Sequence, residues 1–313
     1  MNAILQAGTT IETPRLASAP GATSSSLTDW ALLIAPGAIW GTSFLLIAEG
    51  LQAMAPDGVT FTRFVIGFLT LSMFPAARRS VQTSDRAGIF WLGVLWLAFP
   101  MSMFPHAEQH VSSALTGMLN GAIPIIAAAV AALIARKAPS RAVVAALAVG
   151  VAGAVLMALP GIGAGGSSAR GVMLIVTALV SYGVAINLAR PLQQRNGALP
   201  VVWRALGVAL VLTAPLGAPA LAAAQWTPRS LMAVLALGCF GTAAANAIMA
   251  TAAGRLGATR ASATTFLVPV VALLLGVIVR GERVAAIAIA GGALCLAGAW
   301  LIRRGTKTTG TTR

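Results

Sequence analysis

The chain has 313 residues, 58% of them hydrophobic and 9% charged, where an average soluble protein carries about 25% charged residues. A water-soluble domain of this length cannot hide so much apolar surface, so the composition specifies an all-α integral membrane protein. Lysine and arginine total 21 against 7 acidic residues. The excess excludes a nucleic-acid partner by its placement, because nearly all of it falls in short gaps between apolar runs, as membrane topology requires.

Residues 1–28 are rich in Ser, Thr, Ala and Pro and hold no sustained apolar core, which predicts a disordered cytoplasmic tail without a cleavable signal. Ten apolar runs follow, at about 31–50, 58–77, 88–105, 111–134, 141–159, 171–189, 200–218, 230–252, 260–279 and 284–302. The gaps are short, so neighbouring helices pack antiparallel and no soluble domain intervenes. The stretches 160–170 and 217–229 read as flexible connectors from their Gly, Ser and Ala content. Arg15, then Arg78, Arg79 and Arg86, Arg136, Lys137 and Arg141, Arg190 and Arg195, Arg255 and Arg260, and the end from Arg303 to Arg313 share one side. The other side holds only Arg170, Arg229, Arg280 and Arg283. The bias places both termini in the cytoplasm. Arginine- and alanine-rich usage suggests GC-rich bacterial coding, hence a multi-pass protein of the bacterial inner membrane. The basic cytoplasmic loops and the tail 304–313 suit anionic lipid headgroups.

The halves repeat. Ala107 to Gly153 lies on Ala252 to Gly298 without a gap, pairing Pro124 with Pro269 and Gly153 with Gly298. Earlier, Trp40-Gly41 pairs with Tyr182-Gly183, and Arg63 with Arg204. Five spans per half is an odd number, so the second copy enters the membrane upside down. The expected architecture is therefore ten transmembrane helices as two inverted five-helix repeats, 29–159 and 171–303, joined by the linker 160–170.

Trp-Gly-Thr-Ser-Phe at 40–44, Thr-Arg-Phe at 62–64, the small-residue junctions near 107–114 and 252–261, Pro124, Pro269 and Gly281-Glu282-Arg283 together resemble the EamA-type ten-helix branch of the drug/metabolite transporter superfamily. The resemblance covers roughly residues 30 to 303 and implies a secondary transporter, with export as its implied direction. Two departures stand out. Arg136-Lys137-Ala138 occupies the place of the first half's Gly-Glu-Arg turn, and Tyr182 replaces a tryptophan.

Candidate substrate-binding groups are the polar and aromatic residues at helix depth: Trp40, Ser43, Arg63, Asn120, Tyr182, Asn187, Arg204, Asn246 and Thr265. An arginine inside a membrane helix costs up to about 2.5–3.5 kcal/mol on insertion scales. Arg63 and Arg204 thus read either as carboxylate forks at opposite mouths of one cavity or as snorkelling and capping groups. Each of the other polar groups is a substrate contact or interhelical glue. Trp96 and Trp203 are cavity walls or ordinary packing. Pro124 and Pro269 each remove a backbone hydrogen bond in mid-helix, predicting bent, pore-lining helices that act as hinges or as static kinks.

No acidic residue falls at mid-membrane in this reading, so a buried carboxylate relay is absent and Glu49, at a helix end, is its nearest substitute. His106, Glu108 and His110 read as wet interface residues rather than half a metal site. No metal, no cofactor and no enzymatic constellation is expected. The function that fits is movement of a small organic metabolite, amino acids and related compounds included, by alternating access. An intramembrane enzyme and a channel-like protein are the competing readings.

Overall fold

A computed structural model describes residues 27–136, 140–163, 166–256 and 261–308, and within them every regular element is helical. In chain order these are α1 (Leu27–Gly50), α2 (Pro56–Ser72), α3 (Thr83–Glu108), α4 (Ser113–Ala135) and α5 (Arg141–Gly163). There follow α6 (Gly166–Asn196), α7 (Ala198–Ala222), α8 (Pro228–Leu256), α9 (Thr264–Arg280) and α10 (Ala286–Thr308). Seven of them, α1 and α3 to α8, are long and apolar enough to cross a bilayer. Large apolar side chains such as Leu69, Leu133, Val151, Leu216, Phe240 and Ile278 face outward, which suits a lipid solvent and no other. The chain is a multi-pass membrane protein.

The sequence expectation differs from the structure at the connectors. Within 160–170 the helix continues to Gly163 and resumes at Gly166, leaving only 164 and 165 outside the described residues. Pro160 lies inside α5 without ending it, and α7 likewise runs to Ala222 through Pro215 and Pro219. In the second stretch alanine, the best helix former, outweighs the Gly and Pro signals; in the first the helix runs on despite its glycines. The N-terminal tail up to residue 26 and the last residues from 309 lie outside the described residues.

Glycine sets how closely the rods approach. A Cβ added at Gly153 of α5 would collide with the Cys295 backbone nitrogen of α10 and sit 2.6 Å from the Gly291 carbonyl oxygen. One added at Gly298 would sit 2.5 Å from the Gly150 nitrogen and 2.9 Å from the Ala146 oxygen. Residues late in α5 thus meet residues early in α10, and the reverse, so these two helices run antiparallel with backbone against backbone. The contact is reciprocal in the repeat register: Gly153 meets Cys295, and their counterparts Gly298 and Gly150 meet each other.

Other crossings come in matched pairs. Gly41 on α1 packs on Val268 and Val271 of α9, and Gly183 on α6 packs on Ile126 of α4. Gly67 of α2 meets Thr242 and the Gly238 carbonyl of α8, while Gly93 of α3 meets Val208 and the Ala205 carbonyl of α7. The main core gathers Phe44, Phe104, Met118, Ile125, Met157, Tyr182 and Cys295, and a second one joins Phe64, Leu92, Leu97 and Leu206.

Four of the rods change winding partway. α3 is π-helical over Gly93–Ala98 and α8 over Leu237–Ala244. α4 tightens to a 3-10 turn at Asn120–Ala122, and the approach to α9 does so at Ser262–Phe266. The Pro124 expectation of a missing bond in a continuous helix is modified by that turn. The Ile123 N–H closes onto the Asn120 carbonyl in 3-10 fashion, and Pro124 then sits in the first turn of a fresh α segment, where its absent N–H is harmless.

The two C-caps in matching places differ. Gly281 ends α9 at φ 65°, whereas Arg136 ends α4 at φ 48°, the one non-glycine with positive φ among the described residues. A side chain in this left-handed region costs about 1–2 kcal/mol. Arg136→Gly is therefore expected to raise the unfolding temperature of the purified protein, by roughly 1 kcal/mol of stability. Gly153→Val is expected to lower it by about 1–3 kcal/mol or more, because backbone atoms cannot yield as side chains do. Gly254→Ala, inside α8 where an added Cβ meets nothing within 4 Å, is the steric control and is expected to raise the melting temperature slightly, by about 0.5–1 kcal/mol of helix propensity.

Candidate functional site

Arg63 is the most deeply placed charge on α2, with 4% of its surface exposed. Its Nε donates to Thr242 Oγ1 at 3.2 Å, in the π-helical part of α8. The wider winding there matters, because Thr242 Oγ1 also donates back to the Leu237 carbonyl five residues earlier at 3.2 Å. Its hydroxyl oxygen is thereby turned to accept from Arg63. The terminal guanidinium nitrogens have no acceptor among the described residues.

Around Arg63 stand several of the expected residues. Ser43 on α1 is buried, its hydroxyl bonded back to the Ile39 carbonyl at 3.0 Å, and it abuts Gly241 beside Thr242. Tyr182, the only tyrosine in the chain, lies within electrostatic range of Arg63. It stacks on Phe104 at 5.9 Å, and Phe104 meets Phe44 edge-on at 5.7 Å. That aromatic row joins α6, α3 and α1 across the middle of the bundle. Asn120, 8% exposed in the 3-10 turn of α4, has no hydrogen-bond partner for its amide among the described residues. Trp40 packs against the main core. Unspent polar groups inside a bundle are costly unless something polar is meant to meet them.

Other candidates are already engaged. Asn187 donates to the Ala127 carbonyl at 3.1 Å and to the Gly183 carbonyl at 2.8 Å, tying α6 to α4. Asn246 donates to the Thr242 carbonyl at 2.6 Å and helps fix the π segment. Thr265 lies in the 3-10 turn that opens α9 and is not free there; next to it the Thr264 hydroxyl donates to the Leu33 carbonyl of α1 at 2.7 Å. Arg204 does not mirror Arg63. It donates to the Pro200 carbonyl at 3.2 Å and lies over the Trp203 ring, while Trp203 bonds Ser72 at 2.7 Å and stacks on Phe68. The register explains it: the counterpart of Thr242 is Leu97, which offers no acceptor.

One end of the bundle is locked by ions. Glu49, at the finish of α1, takes Arg229 of α8 at 2.7 Å and Arg280 of α9 at 2.7 Å. Arg280 also reaches Glu282 at 3.3 Å. Glu282 in turn accepts from the Ser113 N–H at 3.1 Å, the Ser113 hydroxyl at 2.7 Å and the Ala114 N–H at 2.8 Å, so it caps α4. An open depression of about 430 Å³ lies here, with Glu49, Gln52, Arg229 and Arg280 on its wall. Away from it, Asp29 holds Arg255 at 2.7 Å, and Asp85 takes Arg195 in a two-pronged bond with Asn196 as a further donor.

Glu108 is where the sequence expectation fails. It closes α3, and both carboxylate oxygens are buried without a hydrogen-bond partner, so it is not a wet interface residue. The reason is in the packing: the assembled bundle brings Glu282, Arg280 and Arg63 within electrostatic range of it and shuts its oxygens away. His106 points away instead, bonded at 2.9 Å to the Ser102 carbonyl and 3.7 Å from Asp57. No group of three metal-binding side chains occurs among the described residues. The contacts of Thr242 and Glu282 and the burial of Glu108 are features that sequence reading does not single out as a site. The Gly281-Glu282-Arg283 turn after α9 and the His106, Glu108 and His110 cluster are the sequence signals that touch two of them. Glu282→Ala is expected to uncap α4 and cost about 1–2 kcal/mol, read as a lowered melting temperature in detergent.

The chain is 27% identical over 280 residues to a protein of Streptantibioticus cattleyicolor named "Probable terminal-alkyne amino-acid exporter", covering 88% of this chain and 93% of that one. It is 24% identical to the uncharacterized transporter YcxC of Bacillus subtilis, over 82% of this chain and 86% of the relative. It is also similar to an uncharacterized transporter of Archaeoglobus fulgidus at 20%, over 88% and 98%. A solved crystal structure superposes with a TM-score of 0.58 at 19% identity, covering 88% of this chain and 95% of the other, a likeness of fold. Residues 30–159 and 169–304 each match the EamA-like transporter family, and the chain belongs to that family.

Proposed function

We propose that the protein is a secondary transporter that exports small organic metabolites, amino acids foremost, across a bacterial inner membrane by alternating access. It is not an enzyme. Its ten helices form two inverted five-helix repeats with both termini in the cytoplasm, and anionic lipids lie against its basic cytoplasmic loops. The observation that carries the reading is the set of buried polar groups left without partners among the described residues, the terminal nitrogens of Arg63 and the Asn120 amide, together with the Phe44–Phe104–Tyr182 row. A zwitterion with an apolar side chain complements such a lining: its carboxylate takes the planar fork of Arg63, and its side chain lies on the rings.

Three features support the inverted arrangement. The matched helices α5 and α10 run antiparallel through a reciprocal glycine contact. The pairings α1–α9 and α4–α6, α2–α8 and α3–α7, are exchanged by the repeat register. The π and 3-10 interruptions recur at that register as well. Repeats related in this way exchange roles when the bundle rocks, which is the physical basis of alternating access. The printed name of the Streptantibioticus cattleyicolor relative supports amino acids as the substrate class and outward movement as the direction.

Counterflow of radiolabelled neutral amino acids in proteoliposomes tests the proposal. Wild-type protein is expected to exchange at least one of them. Asn120→Ala and Arg63→Ala are each expected to lower exchange by at least about 10-fold at unchanged yield of folded protein, the loss of a hydrogen bond to a charged substrate. Exchange by both variants at the wild-type rate would refute the site.

A further inference from the structure

The transport reading leaves one interior ionisable group without a task. Glu108 closes α3 with both carboxylate oxygens shut away and no donor reaching either. An ionised carboxylate so placed gives up its hydration and receives nothing in return, so the arrangement seen here holds the neutral acid.

The groups around it are few. Arg63 of α2 lies within electrostatic range, as do Arg280 and Glu282 at the end of α9. Tyr182 of α6 lies within range of Arg63. From α1 comes Glu49, already held by Arg229 and Arg280. α4 carries no ionisable side chain, and Arg170 at the start of α6 is exposed. On its own stretch His106 is turned toward Asp57 of α2 at 3.7 Å, and the His110 carbonyl accepts from Ser168. Arg280 and Glu282 engage each other, which leaves Arg63 as the cation whose terminal nitrogens have no acceptor among the described residues.

We propose that Glu108 binds a proton and the ammonium group of the substrate in alternation, making this an amino-acid/proton antiporter. The inference rests on the transport reading and names its coupling residue. Arg63 and Glu108 are a cation and an anion within electrostatic range of each other inside the bundle. A zwitterion meets both, with its carboxylate on Arg63 and its ammonium on ionised Glu108. When substrate leaves, Glu108 takes a proton from water on that side and the bundle closes over a neutral acid. On reopening, the O–H bond breaks to water on the opposite side as the next ammonium arrives. One proton moves against one substrate, and no electrons change hands. Proton and ammonium exclude each other at one carboxylate, which is the linkage that antiport needs.

Two measurements test this. The first is an infrared pH titration of purified wild type and Glu108→Gln, which needs no substrate. A protonated-carboxyl C=O band is expected at neutral pH in the wild type and absent from the variant. No such difference would overturn the proposal. The second is efflux of radiolabelled L-leucine and L-methionine from proteoliposomes with and without an inwardly directed proton gradient. The gradient is expected to accelerate wild-type efflux at least tenfold. Glu108→Asp is expected to keep that acceleration in part, and Glu108→Gln to lose it at an unchanged melting temperature. Gradient-accelerated efflux of wild-type size in Glu108→Gln would overturn the proposal. The infrared band without efflux or counterflow of either amino acid in the wild type would instead overturn the amino-acid transport reading, and the alternation with it.

Discussion

A backbone carbonyl or N–H with no partner has no water to turn to inside a bundle whose outer surface is apolar. That constraint explains where this fold is regular and where it is not. α4 would leave the Asn120 carbonyl open because Pro124 cannot donate, and the chain answers with a 3-10 turn in which Ile123 donates instead. α8 widens to a π segment from Leu237 to Ala244, and there Thr242 and Asn246 satisfy the local carbonyls with their side chains. Each repair leaves a polar group facing inward at the level of the break. The result is that the interior polar groups, Asn120 and the Arg63–Thr242 pair, follow from the same local chemistry that keeps the helices whole.

Close approach is the second consequence of building with apolar rods. Where helices cannot gain by hiding greasy surface from water, they gain by contact, and glycine lets the contact reach the backbone. Gly153 on Cys295 and Gly150 on Gly298 bring α5 and α10 together, and Gly41, Gly67, Gly93 and Gly183 do the same at the other crossings. The two halves are alike as scaffolds and unlike as chemistry. Thr242 is matched by Leu97, Glu108 by Ala253 and Glu282 by Lys137, so one copy of each polar device survives. Arg204, lacking an acceptor, falls back onto Pro200 and Trp203.

Much of this was legible in the amino-acid order. The apolar runs locate the helices to within a few residues, because hydropathy over some twenty positions averages out local noise. The paired prolines and the Gly153–Gly298 match locate the interruptions and the antiparallel contact. What the sequence conceals is set by long-range packing. Glu108 lies near charged and polar neighbours at a helix end and looks wet; only the assembled bundle, which brings Glu282 near it from far away in sequence, shuts both its oxygens away. Helix likewise runs through the glycine and proline signals to Gly163 and resumes at Gly166. Asn187 and Asn120 look equivalent as mid-helix amides. Their difference, one bonded across to Ala127 and one unspent, depends on which carbonyl the neighbouring helix offers.

The central claim is that a polar space at Asn120 opens in turn to each side of the membrane. Its most direct measurement is thiol labelling of a single cysteine at position 120, with Cys239 and Cys295 replaced by alanine, in sealed vesicles of either orientation. The account predicts reaction with a membrane-impermeant maleimide from both sides, slowed by a bound amino acid. A cysteine there that stays unreactive from either side, in protein that is folded, would contradict it.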